Sequence, residues 1–496
     1  MGGVGPGRER GIPAVARVPV GSAMAALAVL LTATSAGYGY HRDELYFRML
    51  PTQWGYVDQP PFSPLLVRLM SSLADGAWAV RIPATLAAVV TVLLVAALAR
   101  ELGGGRVAQG LAAWGYAFAA FPLVFGHLMF TAGPDLLAWV AMTLFVVRAV
   151  LRADPRWWLA AGAVLGLATW NKLLIVLLVV AVAAGLAAVG PRRLPWRWVI
   201  GGLVVAAVLS VPAVVYQATH AWPQLTMGRA LSAKNGAENR VLMWPLLLLL
   251  LGPLLVPVWL AGFVALIRRP GWRPLRFLAV AFLVLLLLSA LAGGQVYYPL
   301  GLLAVMYAAG CVPVSEWLVR VAWRRRLVFT AVALNAVVAA VIALPLVPVS
   351  VVGSTPLPGI NQATRDQVGW PAYVAQVARV HDGLAETERD SAIVVTNNYG
   401  EAGAIARYGP ALGLPNAISG QNELFFLARP PANRAVAIVV GRSAGLIAGR
   451  NATCEVVSRL DNGVGVSNEE QGQPISVCRG AHQTWDVVWP QFQHYD

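Results

Sequence analysis

Residues 78–99 read WAVRIPATLAAVVTVLLVAALA, and this stretch decides the class of fold. Arg81 is its only charged residue. A helix needs about 20 mainly apolar residues to cross the roughly 30 Å of a bilayer's hydrocarbon core. Residues 78–99 therefore predict a transmembrane helix, and similar apolar runs recur along the chain.

The composition is typical of a polytopic membrane protein. Of the 496 residues, 58% are hydrophobic and 12% are charged, and the mean hydropathy is +0.65. A soluble domain carries about 25% charged residues, because its surface faces water. The formal net charge of +14 comes from Lys and Arg residues that lie between apolar segments. This is the pattern of membrane topology and not of a nucleic-acid binder, so we expect lipid, and no nucleic acid, as a partner.

The apolar segments predict about eleven transmembrane helices. The two shortest, 157–171 and 173–189, meet at Lys172 and form either one long helix or a tight hairpin. The hairpin keeps the Arg-rich segments at their far ends on one face of the membrane, so we expect Lys172 on the opposite face. The predicted spans are 20–38, 78–99, 107–125, 135–151, 157–171, 173–189, 198–216, 241–266, 275–292, 298–315 and 327–348.

Lys and Arg residues concentrate on one face of this topology. With a cytoplasmic N-terminus, 19 fall on inner segments and 8 on outer loops, and such an excess marks the cytoplasmic side. We therefore expect a multi-pass plasma-membrane protein with its N-terminus inside, its C-terminal region outside, and residues 20–38 as an uncleaved first span. The inner set is Arg8, Arg10, Arg17, Arg100, Arg106, Arg148, Arg152, Arg156, Arg192, Arg193, Arg197, Arg268, Arg269, Arg273, Arg276, Arg320, Arg324, Arg325 and Arg326, and the outer set is Arg42, Arg48, Arg68, Arg81, Lys172, Arg229, Lys234 and Arg240.

The composition changes near residue 350, where Gly, Pro, Asn and charged residues become more frequent and no apolar run is long enough to span a membrane. We therefore predict a transmembrane domain over 1–349 with long outer loops at 38–77 and 216–240. Residues 350–496 are predicted to form a small extracytoplasmic α/β domain. The fold class is thus mostly α, with an α/β region at the C-terminal end.

The C-terminal region shows short periodic segments. Strands are predicted at 391–396, 435–440 and 454–460, and a helix at 401–408. Cys454 and Cys478 lie in this region and can form a disulfide if it is outside the cytoplasm. Cys311 lies in an apolar segment, so we expect it to be a packed thiol.

The first outer loop, residues 38–77, concentrates acidic and aromatic residues and begins YHRDELYF at 40–47. Asp43 and Glu44 follow a span directly. A carboxylate near the apolar boundary is costly to desolvate and well placed as a general base, although a helix cap at Asp43 is the plainer alternative. Asp58, which precedes a pair of prolines, either caps a helix or orients the site.

Other polar residues lie at predicted outer helix ends. His127 and Asp135 flank a turn between two spans. Asp135 is either an acid of the first helical turn, stabilised by the helix dipole, or part of a site. Lys172 needs an anion, which is Asp135, Asp43 or a lipid phosphate, unless its side chain extends to the lipid headgroups.

Tyr297 and Tyr298 precede a proline at a further outer helix end, either as membrane anchors or as ligands for a phosphate or a sugar. All these candidates converge on the outer face, without the spacing of a metal site, a nucleotide-binding glycine loop or a GxSxG elbow. The alternative to an enzyme is a transporter or flippase of lipid-linked sugars. Such proteins, however, place their ionisable sites near the bilayer midplane.

Five short motifs lie at these outer ends, namely Asp43-Glu44, Gly55-Tyr56-x-Asp58-x-Pro60-Pro61, Gly133-Pro134-Asp135, Gly166-Leu167-Ala168 before Lys172, and Tyr297-Tyr298-Pro299. Together they resemble glycosyltransferase family 39, the group of protein O-mannosyltransferases and aminoarabinose transferases of lipid A, over roughly residues 20–310. Two segments of the C-terminal region resemble the tails of actinobacterial members, namely Asn398-Tyr399-Gly400-Glu401-Ala402-Gly403-Ala404 and Leu414-Pro415-Asn416.

The resemblance implies a GT-C fold enzyme that moves a sugar from a polyprenyl-phosphate donor to an extracytoplasmic acceptor, which is a protein, a glycolipid or a polysaccharide. Asp43 would deprotonate the acceptor hydroxyl and Glu44 would position acceptor or donor. Direct displacement with one carboxylate base predicts inversion at the anomeric carbon. The implied phosphate-binding residues are Lys172, Tyr297, Tyr298 and Arg42, and the implied site-ordering residues are Asp58, Asp135 and His127. Some related enzymes hold a divalent metal near the first loop, for which His127 and His220 are possible ligands.

Overall fold

The structure is a computed structural model that describes residues 11–152, 154–319, 321–448, 452–480 and 485–495. Arg8, Arg10 and Arg320 of the inner cationic set lie outside the described residues. The predicted fold class is confirmed, because the chain is mostly helical and carries a small sheet only in its C-terminal part.

The first 343 residues contribute helices alone within the part that the structure describes. Short 3₁₀ helices at Pro253–Leu255 and Pro270–Leu275 flank one of them. The helices are α1 Arg17–Thr34, α2 Arg42–Met49, α3 Phe62–Leu73, α4 Ala77–Glu101, α5 Arg106–Ala117, α6 Ala120–His127, α7 Ala132–Leu151, α8 Trp157–Ala168, α9 Ile175–Val189, α10 Trp196–Thr219, α11 Pro223–Leu247, α12 Val256–Arg268, α13 Phe277–Ala292, α14 Leu300–Leu318 and α15 Ala322–Ala343.

Six of the described helices are long and apolar enough to cross a membrane, and α5 with α6, bent by 60°, adds a seventh if the pair is one span. Four shorter apolar helices, α8, α9, α12 and α13, lie within or overlap predicted spans. Their lengths do not by themselves meet the spanning test, so the count of eleven spans stays a prediction. Helix α14 is buried along most of its length and forms the centre of the helical core.

Two sequence-based predictions for this part are wrong. Residues 216–240, predicted as a loop, lie mostly in helix α11, which is polar and runs from Pro223 to Leu247. The predicted span 241–266 is broken between α11 and α12, where Gly252 has a φ of 102°. A glycine is needed there because this backbone conformation is strained for residues with a Cβ.

The C-terminal part is an α/β region with one five-stranded sheet in the order β2-β1-β3-β5-β4. Strand β1 is parallel to β2 and β3, whereas β5 is antiparallel to both β3 and β4. The elements are α16 Val349–Val352, α17 Leu357–Ile360, α18 Gln362–Arg365, α19 Trp370–Asp382, α20 Glu386–Arg389, β1 Ile393–Thr396, α21 Tyr399–Tyr408, a 3₁₀ helix Pro410–Leu412, β2 Ala417–Ser419, α22 Leu424–Leu427, β3 Val436–Val440, α23 Ala444–Ile447, β4 Thr453–Arg459, β5 Pro474–Arg479 and α24 Trp485–Phe492.

The three predicted strands are confirmed as β1, β3 and β4, and the predicted helix as α21. Strands β2 and β5 and the helices α19 and α24 were not predicted. Cys454 and Cys478 face each other across β4 and β5 and form a disulfide. Cys311 is a free, buried thiol within α14.

The first outer loop and the C-terminal region share one hydrophobic core. Leu45 and Tyr46 of α2 belong to the same buried cluster as Trp370 and Ile405 of the C-terminal region. A Cβ placed on Gly403 would lie 2.7 Å from the backbone of Leu45. Only glycine allows α21 to approach α2 this closely, so the C-terminal region is built onto the first outer loop.

Candidate active site

The site begins at the N-terminus of α2, where a capping box fixes two adjacent acids in opposite directions. The His41 Nδ1 accepts a 3.1 Å hydrogen bond from the Asp43 amide, and the Glu44 carboxylate accepts a 2.9 Å bond from the His41 amide. Burial lowers the pKa of His41 to about 3, so the imidazole is neutral and its Nδ1 is free to accept. The cap at this helix is thus His41 and not Asp43, whose carboxylate remains available for another role.

Asp43 has a partly exposed side chain, with 28% of its surface accessible. Its Oδ1 accepts a 2.9 Å hydrogen bond from the hydroxyl of Tyr399 at the start of α21. Burial raises the pKa of the Asp43 carboxyl above its ordinary value. The Arg42 guanidinium, the Tyr399 hydroxyl and the Lys172 ammonium oppose this rise in the pKa. The carboxylate is therefore anchored on one side and open on the other, as a general base must be.

Lys172 and the two tyrosines form the cationic side of the site. The Lys172 Nζ lies 3.3 Å from the Tyr297 hydroxyl and 5.2 and 5.5 Å from the ring centroids of Tyr297 and Tyr298. These ring faces attract the ammonium group. The structure thus brings together three of the four residues for which the resemblance implies phosphate binding, and the fourth, Arg42, lies elsewhere.

The turn that carries Lys172 is held by side chains from two other elements. The Asn171 side chain donates a 2.7 Å hydrogen bond to the Thr131 carbonyl and accepts one of 2.7 Å from the Ser63 hydroxyl. These bonds tie the turn to α3 and to the start of α7. Asp135, in the first turn of α7, accepts a 3.2 Å hydrogen bond from the indole of Trp139.

Glu44, for which the resemblance implies a role in positioning acceptor or donor, lies in a buried ion pair with Arg81. Its carboxylate is fully buried and accepts two 2.9 Å hydrogen bonds from the Arg81 guanidinium and one of 3.0 Å from the Met129 amide. Arg81 is also fully buried and donates to the carbonyls of Ser35 and Gly39. With the bond from the His41 amide, these contacts occupy both oxygens of the Glu44 carboxylate, so no lone pair is left for a substrate. The pair of Glu44 with Arg81 joins α2 to α4 and to the end of α6.

His127 belongs to this buried network and does not face the site. Its side chain is almost fully buried, and its Nε2 lies 3.4 Å from the Arg81 guanidinium. Within the described part of the chain, His127 is linked to this network through Arg81, which itself holds Glu44.

Arg42 serves the contact with the C-terminal region in place of the predicted phosphate binding. Its guanidinium forms a 2.7 Å ion pair with Glu469 and lies 4.7 Å from the ring centroid of Tyr399. The residue is 6% exposed. This position fixes the ring whose hydroxyl reaches Asp43.

Asp58 does not cap a helix, because α3 begins after Pro61 and has no side-chain cap. Its Oδ1 accepts a 3.2 Å hydrogen bond from the Tyr46 hydroxyl. Burial raises the pKa of Asp58 to about 7, and the nearby Glu423 carboxylate adds to this rise. Glu423 in turn accepts a 2.8 Å hydrogen bond from the Val57 amide. Asp58 therefore orders the junction between the first loop and the C-terminal region.

The two histidines considered as metal ligands have other partners. His127 contacts Arg81, and the His220 ring stacks on Tyr216 with centroids 4.1 Å apart. Among the described residues, no three His, Cys, Asp or Glu side chains are grouped as a metal site. These histidines do not fit a shared metal, and no step of the chemistry is assigned to one.

Sequence reasoning missed three functional positions. Arg81 is the lone charge of the predicted span 78–99, and the sequence pattern names no partner for it, although a lone charge inside an apolar run signals a buried partner. Tyr399 lies in a quoted motif, but its partner Asp43 is too distant in sequence to be found by spacing. Glu423 gave no sequence signal.

Residues 58–216 match the family described as dolichyl-phosphate-mannose-protein mannosyltransferase. This segment includes Asp58, Asp135 and Lys172 and begins after Asp43. No curated protein matches the chain.

Solved structures with a similar fold cover nearly the whole chain. One is ArnT from Cupriavidus metallidurans bound to undecaprenyl phosphate, with 16% identity, a TM-score of 0.60, and coverage of 92% of this chain and 97% of that one. ArnT in the apo state has 15% identity and a TM-score of 0.59, over 93% of this chain and 98% of that one. The arabinofuranosyltransferase AftD from Mycobacteria has 15% identity and a TM-score of 0.50, over 94% of this chain and 41% of AftD.

At these identities the likeness to solved structures shows a shared fold, whereas the family match concerns the sequence of one segment. The chain therefore has the GT-C fold of these structures, and its residues 58–216 are similar to the family described as dolichyl-phosphate-mannose-protein mannosyltransferase.

Proposed function

We propose that the protein is an integral membrane glycosyltransferase that moves a sugar from a polyprenyl-phosphate donor to an extracytoplasmic acceptor, with inversion at the anomeric carbon. The observation that carries this proposal is that a partly exposed, anchored carboxylate, Asp43, lies within electrostatic reach of the Lys172 ammonium group, which is held at the Tyr297 hydroxyl. The Lys172 charge is close enough to lower the pKa of Asp43. The proposed base and the proposed phosphate-binding cation are thus within electrostatic reach of each other.

The fold and the family match agree with this chemistry. The similar ArnT structure binds undecaprenyl phosphate, and the family that matches residues 58–216 is named for a dolichyl-phosphate sugar donor. A polyprenyl phosphate is itself the leaving group, so the reaction needs no bound nucleotide.

In the proposed reaction, Asp43 accepts the proton of the acceptor hydroxyl while that oxygen attacks the anomeric carbon. The bond between this carbon and the phosphate oxygen breaks on the opposite side, which inverts the configuration. The electron pair leaves with the polyprenyl phosphate. The proton remains on Asp43 until it is released to solvent on the exposed side of the carboxylate.

Lys172, Tyr297 and Tyr298 are assigned to the departing phosphate. Negative charge grows on the leaving oxygen in the transition state, and prearranged donors in a site with little water stabilise it. The ammonium supplies the charge and the Tyr297 hydroxyl, 3.3 Å from it, supplies a second donor. Arg42 is not included, since Glu469 already neutralises it.

We place the protein in the plasma membrane with its N-terminus in the cytoplasm and the C-terminal region outside. The excess of Lys and Arg on one face of the predicted topology supports this orientation. In this arrangement residues 350–496 cover the outer face, where Tyr399 reaches the first loop.

The test uses the full chain in nanodiscs, supplied in turn with undecaprenyl-phosphate mannose, arabinose and aminoarabinose, together with a cell-envelope extract as acceptor. We expect one donor to be consumed with release of undecaprenyl phosphate, and Asp43→Asn to abolish this release. The control is Asp75→Asn, which changes an exposed carboxylate of the same loop that pairs with Arg48.

Normal turnover by Asp43→Asn would remove the catalytic assignment. A product with retained anomeric configuration would exclude direct displacement. Movement of the sugar lipid across the bilayer without transfer would favour the flippase instead.

A further inference from the structure

A large cavity lies between helices α8 and α9, at the ends far from the active site. Its volume is about 930 Å³, within the range of about 300–1,000 Å³ that is typical of ligand pockets. It is lined by Trp158 and Ala161 near the start of α8, and by Val182 and Leu186 in the second half of α9. Lys172 lies at the opposite ends of the same two helices, so this cavity is separate from the site described above.

The cavity exists because the two helices pack against different partners. Helix α8 packs against α7 and α10, whereas α9 packs against α13. Gly162 of α8 and Gly202 of α10 are in such close contact that neither has room for a Cβ. The two helices are therefore drawn apart, and apolar side chains of both face the space between them.

Three arginines line the mouth of this apolar cavity, namely Arg192, Arg273 and Arg276. Arg192 and Arg273 are exposed, and no acidic partner is recorded for any of the three among the residues that the structure describes. By contrast, the nearby Arg269 pairs with Glu316. These arginines thus carry positive charge that no described acidic residue neutralises through an ion pair.

Trp158 is a large, mostly apolar part of the cavity wall. It lines the cavity and is 8% exposed. Its indole nitrogen is buried and has no hydrogen-bond partner within the described part of the chain. Because this nitrogen has almost no accessible surface, it does not face the cavity, and Trp158 contributes the apolar part of its indole to the wall.

We propose that this cavity binds an anionic phospholipid, with its phosphate on Arg192, Arg273 and Arg276 and its acyl chains between α8 and α9. The apolar walls match the chains and the arginines match the phosphate, for which guanidinium groups are suited donors. The three arginines belong to the predicted cytoplasmic set, and the cytoplasmic leaflet is rich in anionic lipid. The bound lipid fills the gap between the two helices that carry Lys172 and braces that turn from the opposite face.

The test measures which lipid stays with the full chain when it is released from nanodiscs into native mass spectrometry. The nanodiscs contain phosphatidylglycerol and phosphatidylcholine with equal acyl chains, and a separate arm contains undecaprenyl phosphate. We expect wild type to retain one phosphatidylglycerol. The double variant Arg192→Gln with Arg273→Gln should bind it about tenfold more weakly or worse, because two charged contacts are lost.

Arg193→Gln is the matched control, since Arg193 is exposed and adjacent but does not line the cavity. A second variant, Ala183→Trp, fills the space for the acyl chains at an exposed position of the cavity wall. It should lose the lipid while the arginines remain.

Equal retention of phosphatidylglycerol by wild type, the double arginine variant and Ala183→Trp would overturn the proposal. Retention of phosphatidylcholine in its place would also overturn it, because the charge would then have no role. Selective retention of undecaprenyl phosphate, lost in the same variants, would assign the cavity to the donor lipid and refute the phospholipid.

Discussion

The hydroxyl of Tyr399 donates a 2.9 Å hydrogen bond to Oδ1 of Asp43, although the two residues lie 356 positions apart in the chain. The ring of Tyr399 is held between the Arg42 guanidinium, 4.7 Å from its centroid, and the ring of Tyr46, whose centroid is also 4.7 Å away. Its amide donates to the buried Gln421 side chain. The C-terminal region is thus part of the site and fixes the orientation of the proposed base.

Tyr399→Phe should shift the pH dependence of transfer. The Tyr399 hydrogen bond lowers the pKa of Asp43, so its loss should raise that pKa. A base with a higher pKa is protonated at higher pH, so the acidic limb of the kcat/KM profile should move upward in pH. We expect kcat/KM on that limb to fall about tenfold, with little change in KM for the donor.

Tyr408→Phe is the control, because Tyr408 ends the same helix and contacts Arg407 instead. If Tyr399→Phe lowered activity by the same factor at every pH, Tyr399 would be acting on the fold and not on Asp43.

The adjacent acids Asp43 and Glu44 should respond in opposite ways to loss of charge. Glu44→Gln leaves Arg81 buried without its counter-ion, and breaking such a pair costs about 3–5 kcal/mol. We expect a lower unfolding temperature and lower yield for Glu44→Gln, whereas Asp43→Asn should unfold like wild type and yet be inactive. Thermal unfolding in detergent, followed by tryptophan fluorescence, measures the difference.

An unchanged unfolding temperature for Glu44→Gln would show that the pair with Arg81 is not important for stability. If Asp43→Asn stayed active while Glu44→Gln folded normally and was inactive, Glu44 and not Asp43 would be the base.

These two acids also show how far the sequence predicts the site. Their position after the first span, and that of Lys172 and Tyr297 at other outer helix ends, follows from apolar segment length and charge bias. Which of the two acids faces the substrate does not, because it depends on the capping box at His41 and on Arg81, whose partner lies in another helix.

The fold was predictable where apolar patterns are strong, as in α4 and in the buried strands β1 and β3. Helix α11 was not predicted, because its polar and apolar residues are mixed on all sides and show no helical period. The junction of the first loop with the C-terminal region was also missed, since Gly403 and Leu45 meet only in three dimensions.

The disulfide between Cys454 and Cys478 should stabilise the C-terminal region. It closes a loop with a sequence separation of 24, for which loop-closure entropy gives about 3–4 kcal/mol. Cys454→Ser should therefore make residues 350–496 more susceptible to limited proteolysis under oxidising conditions. Cys311→Ala is the control, because it removes a thiol that is not in a disulfide. Equal proteolysis of the two variants would contradict a stabilising role.

Asp58 should make the protein less stable as the pH rises. Its pKa is raised to about 7 by burial and by Glu423, from an ordinary value of 3.8. Between these two values the folded state binds more protons at Asp58 than the unfolded state does, so the free energy of unfolding falls as the pH rises. Asp58→Asn keeps an acceptor for the Tyr46 hydroxyl and removes the charge that faces Glu423. The variant should therefore gain in unfolding temperature relative to wild type from pH 4 to pH 7 and keep that gain at pH 8.

Asp75→Asn, at an exposed carboxylate paired with Arg48 and Arg407, should show no such gain. A constant difference between Asp58→Asn and wild type at all these pH values would mean that Asp58 is charged throughout and that its contact with Glu423 does not affect its titration.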